Sequence, residues 1–134
     1  MERYIVTAIE IITQRKFELI IEADEAETAE DIVLSAEING MKVLASDYNY
    51  LPAYQKLRDE ILKLGYGLLC NGSRLNAVQS GMMGANDKIY LVENGRPTSN
   101  KDIVCLYDYA DIDSFPTTSE QAEFIKSWSI LPKA

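Results

Sequence analysis

The chain is predicted to be α+β, with a mostly antiparallel sheet of about six or seven strands, a central amphipathic helix and a C-terminal helix packed on it. Three observations predict this class. The amino-terminal third is β-branched and alternating, Asn39-Gly40 is a strong hairpin signal, and helical patterning occurs only twice, with strands between and no regular β-α-β alternation or internal repeat.

Tyr4 to Ile12 is β-branched and apolar, and in the next segment Phe17, Leu19 and Ile21 alternate with Glu18, Ile20 and Glu22, which reads as two strands. The densely acidic run from Glu22 to Asp31 then reads as a solvated loop or short helix. Asn39-Gly40 lies between Ile32 to Ile38 and Met41 to Ala45. A two-residue type I′ turn needs positive φ at both central positions, which suits this pair. Such a turn pairs Ile38 with Met41, Ala36 with Val43 and Leu34 with Ala45 on an apolar face, and sets Glu37 opposite Lys42.

A helix follows from Leu51 to Leu64, with Pro52 in its first turn and Gly65 as its stop. Tyr54, Leu57, Ile61 and Leu64 form the core stripe; Gln55, Lys56, Arg58, Asp59 and Lys63 take the remaining surface. Leu68-Leu69-Cys70 reads as a short buried strand and Asn71 to Arg74 as a turn. A glycine-containing irregular segment, Gln79 to Asn86, precedes strands at Lys88 to Glu93 and Ile103 to Tyr107. Thr117 to Glu120 is a capping box ahead of a helix from Gln121 to Ile130, with Phe124, Ile125 and Trp128 as its apolar face.

The 134 residues, 47% apolar and 25% charged, fit one globular domain spanning 1–134. The first residues lack the basic segment and long apolar core of a signal peptide, and nothing approaches the roughly eighteen apolar residues of a spanning helix. A cytoplasmic protein without membrane partners is expected. Cys70 and Cys105 lie in apolar surroundings and read as buried thiols. Twenty-one acids against thirteen bases give a net charge of −8, which disfavours direct nucleic-acid binding and favours a basic partner.

The chain has no histidine, which removes the commonest general base and every Ser-His or Cys-His nucleophile pair. The two cysteines lack zinc spacing, and Asp108, Asp111 and Asp113 lack the glycine and terminal glutamate of a calcium loop. Gly81 and Gly84 are not followed by a Gly-Lys-Ser/Thr phosphate motif. No catalytic residue, metal or cofactor is expected. Two groups remain as candidate partner-binding residues. Asn71, Ser73 and Arg74 follow a buried strand and could be presented by it; Asp108, Tyr109, Asp111 and Asp113 set tyrosine among carboxylates, which suits Lys and Arg on a partner. The plainer readings are a turn and an acidic strand end.

Leu68-Leu69-Cys70-Asn71-Gly72-Ser73-Arg74, followed by Ser80-Gly81-Met82, resembles a pattern in small bacterial proteins that are similar to the immunity partners of secreted polymorphic toxins, including contact-dependent growth inhibition systems. The likeness spans roughly the second two-thirds of the chain, and after Gln79 the glycine-containing loop looks shorter than in that pattern, which weakens any role built from it. The resemblance implies one-to-one binding of a cognate toxin domain in the cytoplasm, and the free protein is expected to be a monomer or weak dimer. An acidic inhibitor would associate quickly with a basic nuclease toxin. Two alternatives stand beside it: a small enzyme or ligand-binding protein with a polar pocket around Cys70 to Arg74, and a structural subunit of a larger assembly.

Overall fold

A computed structural model describes residues 1–25, 31–80, 84 and 86–128. Ser80 is described, whereas Gly81 and Met82, the rest of the Ser-Gly-Met motif, lie outside these residues, as do most of the 22–31 acidic run's second half and Ser129-Ile130 at the expected end of the last helix.

The order is β1 (Glu2–Glu10), β2 (Lys16–Glu25), β3 (Ile32–Ile38), β4 (Met41–Asp47), α1 (Tyr50–Lys63), β5 (Tyr66–Leu68), β6 (Ala77–Val78), β7 (Lys88–Leu91), β8 (Ile103–Cys105) and α2 (Thr118–Ser127). The strands form two antiparallel sheets, one ordered β4-β3-β2-β1-β5 and one ordered β6-β7-β8. The α+β class therefore holds, but the expected single sheet of six or seven strands is corrected to eight described strands in two sheets. Two residues of β6 are too few to leave an alternating pattern. The acidic run was expected to begin as a loop or helix at Glu22, yet β2 continues through Glu25. Ile21 pairs there with Ala36 and Ala23 with Leu34, so one face of the strand is apolar and buried, and tertiary pairing overrides the local charge.

The hairpin is as expected. Asn39 and Gly40 have φ of 52° and 76°, and the pairs Ile38–Met41, Ala36–Val43, Leu34–Ala45 and Glu37–Lys42 all form. Helix α1 covers the inner face of the large sheet, burying Tyr54, Leu57 and Ile61 against Val6, Ala8, Leu19, Ile21 and Leu34. Two assignments on this helix are corrected. Leu64, expected in the core stripe, is exposed because it follows the last helical turn. Arg58, expected in solvent, is only 1% exposed because α2 closes over it.

Helix α2 has the expected capping box, with Thr117 Oγ1 accepting from Glu120 N and Thr117 N donating to the Glu120 carboxylate. Its docking differs from the expected apolar face. Phe124, Ile125 and Trp128 are half-buried, and the buried side chain is Gln121. Gln121 Oε1 accepts from Arg58 Nη2 at 2.7 Å and from Gln55 Nε2 at 3.0 Å, while its Nε2 donates to Gly72 O at 3.1 Å and Arg74 O at 2.8 Å. The Arg58 guanidinium also reaches Asp59 through Nε and Thr118 through Nη2, and packs on the Tyr54 ring. A polar network thus fastens the last helix.

Candidate functional site

The segment from Leu68 to Arg74 is built as an internal strut. Leu69 N donates to Thr7 O and Ala110 N to Leu69 O, which continues β5 between β1 and the 106–110 segment. The chain then turns in one 3-10 turn, with Asn71 N on Asp108 O and Gly72 N on Leu106 O. A Cβ on Gly72 would stand 2.8 Å from both Leu106 and Tyr54, so close approach accounts for the glycine.

The predicted residues divide here. Asn71 and Ser73 are buried: Asn71 Nδ2 donates to Cys105 O, its Oδ1 accepts from Arg74 Nε, and Ser73 Oγ bonds Tyr54 OH at 2.6 Å. Their polar atoms are occupied within the chain, and Arg74 is half-buried beside them. Asp108, Tyr109, Asp111 and Asp113 are exposed. Tyr109 OH donates to Asp111 Oδ1 at 2.7 Å and accepts from Lys16 Nζ at 3.3 Å, so this ledge lies at the end of the sheet where Lys16 pairs with Ile9. The backbone brings the two groups together through Asn71 and Asp108, but only the second faces solvent.

Both cysteines are free. Cys70 is fully buried, 3.1 Å from Tyr54 OH, and burial pushes its thiol pKa up. A buried thiol held in its neutral form is not poised as a nucleophile. Cys105, expected to be buried, is half-buried at the junction of β8 with the following turn, and its thiol is likewise pushed up by burial.

A cleft of about 400 Å³ opens at the opposite end of the large sheet, beyond the start of α1. Glu2 and Tyr4 enter it from β1, Asp24 from β2, Tyr50 from the first residue of α1, and Asn86 and Asp87 from the approach to β7. Alternation along β1 puts Glu2 and Tyr4 on one face. The helix is held against this end because Tyr50 N donates to Gly84 O and Leu51 N to the Gln79 side chain, which satisfies two of the amides left open at the helix start.

The floor of the cleft is aromatic. Tyr4 stacks on Tyr107 with ring centroids 4.2 Å apart, and Tyr50 meets Tyr107 edge-on. Tyr4 OH donates to Glu2 and Tyr107 OH to Tyr50 OH. Burial, reinforced for Tyr4 by the Glu2 carboxylate, pushes the phenols of Tyr4 and Tyr107 well up and that of Tyr50 up, so all three stay neutral at physiological pH. Two carboxylates, from Glu2 and Asp87, thus share a concave, ring-floored site that no described lysine or arginine side chain lines, with Asp24 at its rim. Such a site suits a cationic side chain through carboxylates and ring faces together. Among the described residues no group of His, Cys, Asp and Glu is arranged to hold a metal ion. Nor is any described helix long and apolar enough to cross a membrane.

Sequence reasoning missed this cleft, because residues 2, 4, 24, 50 and 87 share no local motif and meet only through the sheet register and the helix start. No family model matches the chain, and comparison with curated proteins found no relative.

Proposed function

We propose that the protein is an immunity protein that binds a basic bacterial toxin domain in the cytoplasm and neutralises it by protein–protein contact, without catalysis. The observation that carries this reading is the carboxylate-lined, tyrosine-floored cleft of Glu2, Tyr4, Tyr50 and Asp87. It sits on a chain of net charge −8, whose long-range field steers a basic partner toward it. The exposed ledge of Asp108, Tyr109, Asp111 and Asp113 gives a second acidic contact. The resemblance carried by Leu68 to Arg74 points to the same class of partner, although those residues support the fold and do not meet solvent as a group.

The alternative, a small enzyme or ligand-binding protein using Cys70 to Arg74, gains no support from geometry, since that segment is packed solid against Tyr54, Leu106 and Gln121.

Co-expression tests the reading. The C-terminal domain of the protein encoded immediately upstream is expressed with and without this chain: restored growth is expected, and continued growth arrest by that domain, or an upstream domain that is harmless alone, contradicts the proposal.

A further inference from the structure

The large sheet has one face covered by α1 and one that is not. Period-two alternation places Ile5, Thr7 and Ile9 of β1 on the second face, together with Glu18, Ile20 and Glu22 of β2, Glu37 of β3, and Lys42 and Leu44 of β4. Where this face adjoins β5 the fold covers it. Gly67, the partner of Ile9, lies directly under the Phe115 ring, and Ile9 and Leu69 are 5% and 3% exposed. Farther along the same strands nothing described covers it. Ile5 is 64% exposed, Ile20 49% and Leu44 58%. Ile5 and Ile20 are direct cross-strand partners, so they form one raised apolar spot.

The surroundings of that spot specify what fits it. Thr7 pairs with Glu18 and Arg3 with Glu22, one row to either side of Ile5 and Ile20. Since Ile21 pairs with Ala36, Glu37 follows Ile20 on β3 and is itself opposite Lys42. Arg3 reaches Glu22 only at 3.9 Å, with the Arg3 side chain largely in solvent and that of Glu22 partly so. Three glutamates therefore rim the isoleucine pair against two basic residues. Added to the chain's net charge of −8, a rim with more acids than bases repels phosphates and anionic lipid headgroups, which argues against a nucleic acid or membrane. A second copy would set acid against acid between two chains of charge −8. A partner protein with an apolar contact amid Lys and Arg satisfies both parts of the surface: an apolar centre that excludes water and a charged rim that selects the sign.

We infer that the open face centred on Ile5 and Ile20 is a docking surface for the basic partner, outside the cleft. The inference rests on the protein-binding reading above, and it assigns a surface that the cleft does not include.

The test uses the full chain and, as probe, the purified C-terminal domain encoded immediately upstream. Binding is measured by calorimetry for the wild type, Ile20→Lys, Glu18→Lys and the control Leu64→Lys, the last an exposed residue beyond the end of α1. Carboxyl labelling with a water-soluble carbodiimide and an amine is read in the wild-type complex, which keeps the test independent of how any variant folds. Ile20→Lys is expected to weaken binding at least about 30-fold, as loss of a central anchor does. Glu18→Lys is expected to weaken it several-fold, chiefly through slower association, and Leu64→Lys to leave it unchanged. Glu18, Glu22 and Glu37 are expected to be protected from labelling in the complex while Glu60 and Glu123 are not. A wild type that binds, with Ile20→Lys binding equally well and the three glutamates labelled as in the free chain, overturns this surface and leaves the protein-binding reading standing. A probe that does not bind the wild type overturns both.

Discussion

Replacing Gln121 by alanine tests whether the last helix is fastened by polar contacts. Gln121 is 1% exposed and makes four side-chain hydrogen bonds, one of them with the Arg58 guanidinium at 2.7 Å. Arg58 is equally buried, and its Nη1 already lacks a partner among the described residues. Alanine at 121 would leave Nη2 with only the 3.3 Å contact to Thr118 and would remove a donor from the carbonyls of Gly72 and Arg74. A hydrogen bond to a charged group contributes about 1.5–3 kcal/mol, and buried polar atoms left unpaired cost about 1–3 kcal/mol each before water enters the gap. A loss of about 3–5 kcal/mol is expected, a large fraction of the stability typical of a domain. Urea unfolding followed by circular dichroism measures it, with Phe124→Ala as comparison; that ring is half-buried and its loss is expected to cost about 1–2 kcal/mol. The double variant Arg58→Met with Gln121→Leu, which removes both partners, is expected to be less destabilised than the sum of the single changes. A Gln121→Ala variant within about 1 kcal/mol of the wild type, or more stable than Phe124→Ala, would refute the polar-fastening argument.

Three further outcomes follow from the same structure. Gly72→Ala is expected to cost about 1–3 kcal/mol by overpacking, because Tyr54 is held by Ser73 and Cys70 and cannot retreat; thermal melting measures it, and an unchanged midpoint contradicts the close approach. Cys70 is expected to react with a thiol reagent only through unfolding, at about a thousandth or less of its rate in urea, as read by peptide-resolved mass spectrometry; fast native labelling would revive a nucleophilic role. Asp102 accepts hydrogen bonds from Nη1 and Nη2 of Arg96 and from the Ser99 amide, which hold its carboxyl at about 2. Its folded pKa is depressed below the unfolded value, so its contribution is complete above the ordinary aspartate range near 4 and is lost as pH falls through about 2. Carbon-detected NMR titration of the Asp102 carboxyl checks this, and a midpoint near 4 contradicts the pairing.

The parts of the fold that were legible in the sequence are those set by local chemistry. Asn39-Gly40 dictated the turn and, with the alternation on either side, the whole β3–β4 register. Pro52 and Gly65 bracketed α1, and Thr117 with Glu120 marked the start of α2. What was not legible depends on long-range packing. Arg58 looks like a surface residue on any helical projection and is buried only because Gln121, sixty-three residues away, covers it. Strand β6 exists because Ala77 and Val78 find Leu91 and Tyr90 opposite. Of the candidate site residues, Asp108, Tyr109, Asp111 and Asp113 reach solvent, whereas Asn71 turns inward because it is stitched to 105–108 and Ser73 because its hydroxyl bonds the buried Tyr54. The cleft assembles from the start of β1 beside the end of β2, the start of α1 and the approach to β7, which no local window contains.

The most direct test of binding through acidic surface is stopped-flow association of the wild-type chain with the upstream-encoded C-terminal domain, measured from about 10 mM to about 1 M salt, over which the screening length falls from about 30 Å to about 3 Å. The association rate constant is expected to drop by at least about tenfold across that range, and the Glu2→Gln, Asp87→Asn double variant is expected to start lower and fall less steeply. A rate independent of salt, or a double variant indistinguishable from the wild type, would contradict it.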